Sequence, residues 1–299
     1  MLSMLLSLFL SIVLLGSGVS GIDDVNYWFS FGDSYTQTGF VTNGTLPTPG
    51  NPLGNPTYPG QTAVGGTNWI DVDTTVYNNS LVLTYNYAYG GATIDASLVT
   101  PYEPTVLSLT DQVNEFLDTA AGKPTSTPWT SSNSLFSIWI GINDIGNSYY
   151  LSGDRYAFDD TLLNAEFALV QKLCAIILCI RSSYAFCVNE ASLTTLDIQM
   201  LAQSATSQAT EKAIIADFNY KLAERISAFK TNHSWVQTWL WDSNSAFTAV
   251  LNSPTSYGFV DVTSYGNPGD FWGNNYHPSS AAHDIWGKEI ALLLERTVW

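Results

Sequence analysis

Ser34 lies in Gly32-Asp33-Ser34-Tyr35, directly after an apolar run, and His277 lies in Asn275-Tyr276-His277-Pro278-Ser279, near the far end of the chain. A serine hydroxyl is a poor nucleophile until a base takes its proton. An imidazole in reach of Ser34 would equip it for acyl transfer through a covalent intermediate. The chain has three histidines. His233 falls in Asn232-His233-Ser234, between a helix-like and a strand-like segment, and reads as a surface residue. His283 falls inside the last helical pattern. His277 sits in a loop and is followed by Pro278, so it is the best base, although a surface turn would also accommodate it.

Such residues need a scaffold that brings them together. Val25 to Phe31 has apolar side chains at period two and reads as a buried strand. Leu81–Tyr89, Leu135–Ile142 and Trp235–Trp241 read as further strands, the last closing on Asp242-Ser243, a plausible helix cap. Leu163, Phe167 and Val170 suit one helix; Ile214, Phe218, Leu222, Ile226 and Phe229 suit another; a last one begins near Ser279. Alternation of this kind implies an α/β fold, a central, mostly parallel sheet between two layers of helices. Active sites in such folds lie beyond the carboxyl ends of the strands. Ser34, the Asn86-Tyr87-Ala88-Tyr89-Gly90-Gly91 stretch and Gly141-Ile142-Asn143-Asp144 all follow strands.

Those four stretches occur in the order Gly-Asp-Ser, Gly, Gly-x-Asn-Asp and His. In this the chain resembles the GDSL, or SGNH, hydrolases, and within them the fungal secreted acetylesterases of carbohydrate esterase family 16. Gly32-Asp33-Ser34-Tyr35-Thr36-Gln37-Thr38-Gly39 and Asn51-Pro52-Leu53-Gly54-Asn55-Pro56 carry the second resemblance. It implies a three-layer α/β/α sandwich of the flavodoxin-like SGNH type, with Ser34 as nucleophile and His277 as base. It also implies an oxyanion hole made of the Ser34 and Gly91 backbone N–H groups and the Asn143 side chain. Taken singly, Gly90-Gly91 also reads as a plain turn and Asn143 as a loop residue capping a helix. Asp33 and Asp144 read as residues that bond local backbone. The family places an aspartate three residues before its histidine. Here that position is Asn274, followed by Asn275. Three outcomes stay open: a Ser34–His277 dyad helped by a backbone carbonyl, Asp270 reaching the ring from an altered loop, or a weak or inactive relative.

The chain has 299 residues with 10 Lys+Arg against 26 Asp+Glu, a net charge of −16, and no cation before Lys123. Nucleic-acid binding depends on clustered cations and is disfavoured. Aromatics at 13% argue against a disordered acidic chain. Residues 1–20 read as a secretory signal, too short for a membrane span, and 21–299 as a single domain. Sequons at Asn43, Asn78 and Asn232 agree with export as an extracellular glycoprotein. Leu46–Gly66, rich in Pro and Gly, reads as a long ordered loop that shapes the cleft. Leu173–Met200 holds Cys174, Cys179 and Cys187. It reads either as a divergent strand with buried thiols or as a gene-model error, with no bridge assigned.

No metal site or cofactor is implied, and no membrane span. The expected protein is a monomeric serine esterase acting on short acyl esters, acetyl first, with an acylated small molecule or saccharide as substrate. A lipase or lysophospholipase on the same scaffold, and a catalytically weak carbohydrate-binding homologue, are the rival readings.

Overall fold

The structure is a computed structural model that describes residues 25–177, 184–189 and 198–299. The expected signal segment and Cys179 lie outside the described residues. Five strands, β1 (Asn26–Gly32), β2 (Val82–Asn86), β3 (Ser134–Trp139), β4 (Tyr184–Asn189) and β5 (Val236–Trp241), form one parallel sheet in the order β2-β1-β3-β4-β5. The described helices are α1 (Trp69–Thr75), α2 (Leu109–Asp118), α3 (Ile142–Gly146), α4 (Arg155–Ile177), α5 (Ile198–Leu201), α6 (Ala205–Asn232), α7 (Ser243–Asn252) and α8 (Ser280–Leu294).

β1 is buried along its whole length, so both of its faces are covered by other layers. Strand periodicity sends alternate residues to opposite layers. Phe29 packs on Phe136 of β3 and on Phe116 of α2, with ring centroids 5.1 and 4.9 Å apart. On the opposite face Trp28 meets Trp69 of α1, and Trp139 of β3 meets Trp69, Trp241 and Trp286 of α8. Phe247 of α7 stacks on Trp286 at 4.1 Å. The three layers expected from the alternation are therefore present. Among the buried rings, Trp28 Nε1–H donates to Ser137 Oγ, which in turn donates to Ser30 Oγ.

The strand order reverses between β1 and β3, which opens a crevice at their carboxyl ends. Leu135–Ile142 is cut short as a strand because Gly141 takes φ +114 and turns the chain into α3, so Asn143 sits on a helix. Past the end of β2 the chain stays beside β1, with Tyr87 N–H donating to Ser30 O and Tyr89 N–H to Gly32 O. Asp242 caps α7 by accepting from Ser245 N–H, as its position predicts. Ser279 occupies the N-cap of α8 without a side-chain cap bond. β4 lies within the cysteine-containing segment, between β3 and β5, and Cys174 on α4 is a buried free thiol. Asn43 and Asn232 are exposed; Asn78 is half-buried and its Nδ2 donates to Ser80 O. No described helix is long and apolar enough to cross a membrane.

Candidate active site

Ser34 stands on a single tight turn that starts where β1 ends. Thr36 and Gln37 N–H donate to Asp33 O at 3.1 and 3.0 Å, and Tyr35 N–H donates to the Asp33 carboxyl at 3.0 Å. The turn is fastened from three directions. Asn68 Nδ2, at the N-cap of α1, donates to Thr36 O and Gln37 O. Asn86 Nδ2, at the end of β2, donates to Thr36 O at 2.7 Å. Trp69 Nε1–H donates to Thr36 Oγ1. Behind the turn, the Gln112 amide of α2 pairs with Gly32 in both directions: it accepts from Gly32 N–H at 2.9 Å and donates to Gly32 O at 2.8 Å. Asp33 is fully buried, and that burial pushes its carboxyl up to about 8, with Asp144 adding to the rise. Its bond to the Tyr35 amide is the local backbone contact expected of it.

His277 reaches Ser34 from a loop 243 residues further on, its Nε2 lying 2.7 Å from Ser34 Oγ. The loop closes on itself, with Gly273 and Asn274 N–H donating to His277 O. Tyr35 OH donates to Tyr276 O at 3.0 Å, which ties this loop to the Ser34 turn. Burial lowers the His277 imidazole to about 4. On its far side Nδ1 lies 3.0 Å from Asn274 Oδ1. The alternative orienting residue, Asp270, does not reach the ring. Its carboxylate accepts from Asn267 N–H and Nδ2 at 3.0 and 2.9 Å and from Ser264 Oγ at 3.2 Å, and so folds its own turn. His283 is buried in α8 with no partner at Nδ1, and His233 stacks on Phe229 at the end of α6, so neither meets Ser34.

Ser34 and His277 open into a cleft of about 630 Å³ that Gly91, Asn143, Tyr102 and Gln37 also line. Gly91 takes φ +81 in a turn closed by Ala92 N–H on Tyr89 O, a conformation side chains disfavour. The Tyr102 ring lies directly over it: a Cβ at residue 91 would sit 2.2 Å from Tyr102 Cε1. Asn143 Nδ2 donates to Ala92 O at 2.9 Å, and both Asp144 carboxyl oxygens accept from Ile94 N–H. The Gly91 loop is thereby clamped to α3. Asp144, buried like Asp33, is pushed up to about 7. Ser34, His277, Gly91 and Asn143 thus converge on one cleft. Among the described residues no group of His, Cys, Asp and Glu is placed to hold a metal ion.

Sequence reasoning passed over Gln112, Asn68, Asn86 and Tyr102. Asn68 had a readable signal, the Asn68-x-x-Asp71 capping box of α1. Gln112 had none, since its partner lies 80 residues away.

Residues 29–290 match the family described as GDSL-like lipase/acylhydrolase. The chain is 37% identical over 272 residues to an acetylesterase from Thermothelomyces thermophilus, covering 89% of this chain and 87% of that protein. It is 32% identical over 144 residues to an acetylesterase from Hypocrea jecorina, covering 44% of this chain and 39% of that protein. The crystal structure of an acetylxylan esterase from Geobacillus stearothermophilus superimposes with a TM-score of 0.50 at 16% identity, covering 91% of this chain and 95% of that one, and shows a shared fold.

Proposed function

Because the chain belongs to the GDSL-like lipase/acylhydrolase family and is a carboxylic ester hydrolase, we propose that it cleaves short acyl esters, acetyl first, on sugars or plant polysaccharide fragments outside the cell. Ser34 is the nucleophile and His277 its base. The observation that carries this reading is the 2.7 Å contact between His277 Nε2 and Ser34 Oγ across 243 residues of sequence.

In the first half-reaction Ser34 Oγ bonds to the acyl carbon while its proton passes to His277 Nε2. The carbonyl oxygen becomes an oxyanion facing the N–H groups of Ser34 and Gly91 and the Asn143 amide. One amide hydrogen of Asn143 is engaged by Ala92 O, which orients the group and leaves the second for the substrate. Collapse breaks the ester C–O bond, and the leaving alkoxide takes the proton from His277. Water, deprotonated by the same imidazole, then attacks the acyl-enzyme and releases the acid and Ser34. Each oxyanion donor is expected to supply about 2.7–4 kcal/mol.

Gln37, Gln61, Tyr89, Tyr102 and Tyr276 in the cleft offer bonding and stacking partners to a hydroxyl-rich leaving group, beside an apolar wall of Phe40, Val41, Ala63 and Ala88. A neutral saccharide is also compatible with a net charge of −16. Residues 1–20 serve as the secretory signal, 21–299 form one domain, and Asn43, Asn78 and Asn232 carry glycans. The test is a panel of acyl chain lengths together with acetylated xylo-oligosaccharides, with Ser34→Ala as control. Acetate release from the oligosaccharides that disappears in Ser34→Ala is expected. Preference for long chains would identify a lipase, and saccharide binding without turnover a binding homologue.

A further inference from the structure

The group behind the His277 ring is an amide, and an amide has two different ends. Only its oxygen can accept a proton carried on Nδ1 while Nε2 keeps its lone pair for Ser34. Turned over, its NH2 would donate to Nδ1, move the ring proton to Nε2 and leave Ser34 without a base. The surroundings of Asn274 decide between the two. Its Oδ1 accepts from the backbone N–H of Tyr276 at 2.9 Å and of His277 at 2.7 Å, and these groups only donate. Its Nδ2 donates at 3.2 Å to Ala63 O, which only accepts. Turning the amide over would set donors against donors and oxygen against oxygen, costing all three bonds. An aspartate in the same place would aim its second oxygen at the Ala63 carbonyl. The pocket is built for an amide in one orientation.

We propose that Asn274 is a positioning residue whose one-way amide pins His277 in the Nδ1–H tautomer, so that Ser34 faces a competent base with no negative charge behind the ring and the esterase stays active in acid. The proposal rests on the Ser34–His277 reading. Three titratable rings flank His277: Tyr35 from the turn after β1, Tyr276 from its own loop, and, beyond Tyr35, His283 from α8. The carboxyl groups on this side of the molecule are otherwise engaged. Asp33 and Asp144 are raised to about 8 and about 7 and bond the Tyr35 and Ile94 amides, and Asp270 bonds Asn267. Burial lowers the His277 imidazole, and charge on it in turn disfavours charge on His283.

With three histidines in the chain, long-range ¹⁵N–¹H spectra of the imidazoles resolve the tautomer of each. His277, assigned by its loss in His277→Gln, is expected to carry its proton on Nδ1. The acid limb of kcat/KM in the parent protein is expected near pH 4, where its imidazole titrates. Asn274→Asp puts a negative charge beside the ring and is expected to raise that limb by about one to three pH units. Asn274→Leu keeps the bulk and removes the acceptor. It is expected to give mixed tautomers and a kcat lower by about 10²-fold with KM nearly unchanged. Should Asn274→Leu fail to fold, the parent spectrum and the Asn274→Asp profile decide alone. A parent His277 protonated on Nε2, or an acid limb that Asn274→Asp leaves in place, overturns the proposal. A parent protein without esterase activity and without fluorophosphonate labelling at Ser34 defeats the underlying reading instead, and the tautomer spectrum still judges Asn274.

Discussion

Gly91→Ala separates the position of the proposed oxyanion donor from its chemistry, because the substitution keeps the N–H but strains the turn that aims it. Residue 91 takes φ +81, and an L side chain there costs about 1–2 kcal/mol. At about 2–4 °C per kcal/mol for a large domain, the melting midpoint should fall by about 2–8 °C. The new Cβ would also lie 2.2 Å from Tyr102 Cε1 and 2.6 Å from Cδ1. Tyr102 is 70% exposed, so its ring can swing off, but the strained turn has no equally easy escape. Relaxation of that turn moves the residue-91 N–H away from the oxyanion, and loss of one such donor costs about 10²–10³ in kcat. The assay is steady-state hydrolysis of an aryl acetate by Gly91→Ala, Tyr102→Ala and the double variant. The double variant should stay as slow as Gly91→Ala, because backbone strain and not the ring sets the defect. A Gly91→Ala enzyme within about threefold of the parent kcat would refute the reasoning.

Asn143→Ala removes a side-chain donor and is expected to lower kcat by about 10²–10³ with little change in KM, measured on the same substrate. Gln112→Leu strips the Gly32 N–H of its Gln112 acceptor in a fully buried place, a loss of about 1–3 kcal/mol that calorimetry should register as a lower melting midpoint. The same variant should lower kcat, because Gly32 leads into the Ser34 turn. Stability should be greater at pH 5.5 than at pH 8. Burial chiefly raises Asp33, Asp159 and Glu166 to about 8 and Asp144 to about 7, from 3.8 for aspartate and 4.5 for glutamate. The folded state therefore holds protons that the unfolded chain releases, and the stability they contribute, complete below about pH 4, is lost as pH rises to 8. His277 and His283, lowered to about 4 and about 3 by burial, oppose this by losing stability as pH falls below 6.5, but they are outnumbered. A melting midpoint higher at pH 8 would contradict that balance.

Features whose cause is local were legible in the sequence. Period-two apolar residues mark β1, Asp242 marks the start of α7, and the alternation of elements implies the parallel sheet whose switch point holds Ser34 and Asn143. Strand ends were less legible. Leu135–Ile142 stays apolar past Trp139, and only the positive φ of Gly141 stops it. β4 was ambiguous because Leu173–Met200 lacks proline and carries three cysteines, which left its reading open. The supports of the site were hidden for a different reason. Gln112 meets Gly32 across 80 residues, and Asn274 meets Ala63 across 211. Sequence showed that an amide stood where the family keeps a carboxylate. Which end of that amide faces the ring depends on a carbonyl that no spacing rule places there.

Ester cleavage by this protein requires Ser34 to be an activated hydroxyl, and covalent labelling tests that directly. The protein is treated with a fluorophosphonate and the modified peptide is located by mass spectrometry. The expected result is one phosphonyl group on Ser34, absent from Ser34→Ala and formed far more slowly in His277→Gln. An unlabelled Ser34 in the folded protein, or labelling at the parent rate in His277→Gln, would contradict the account.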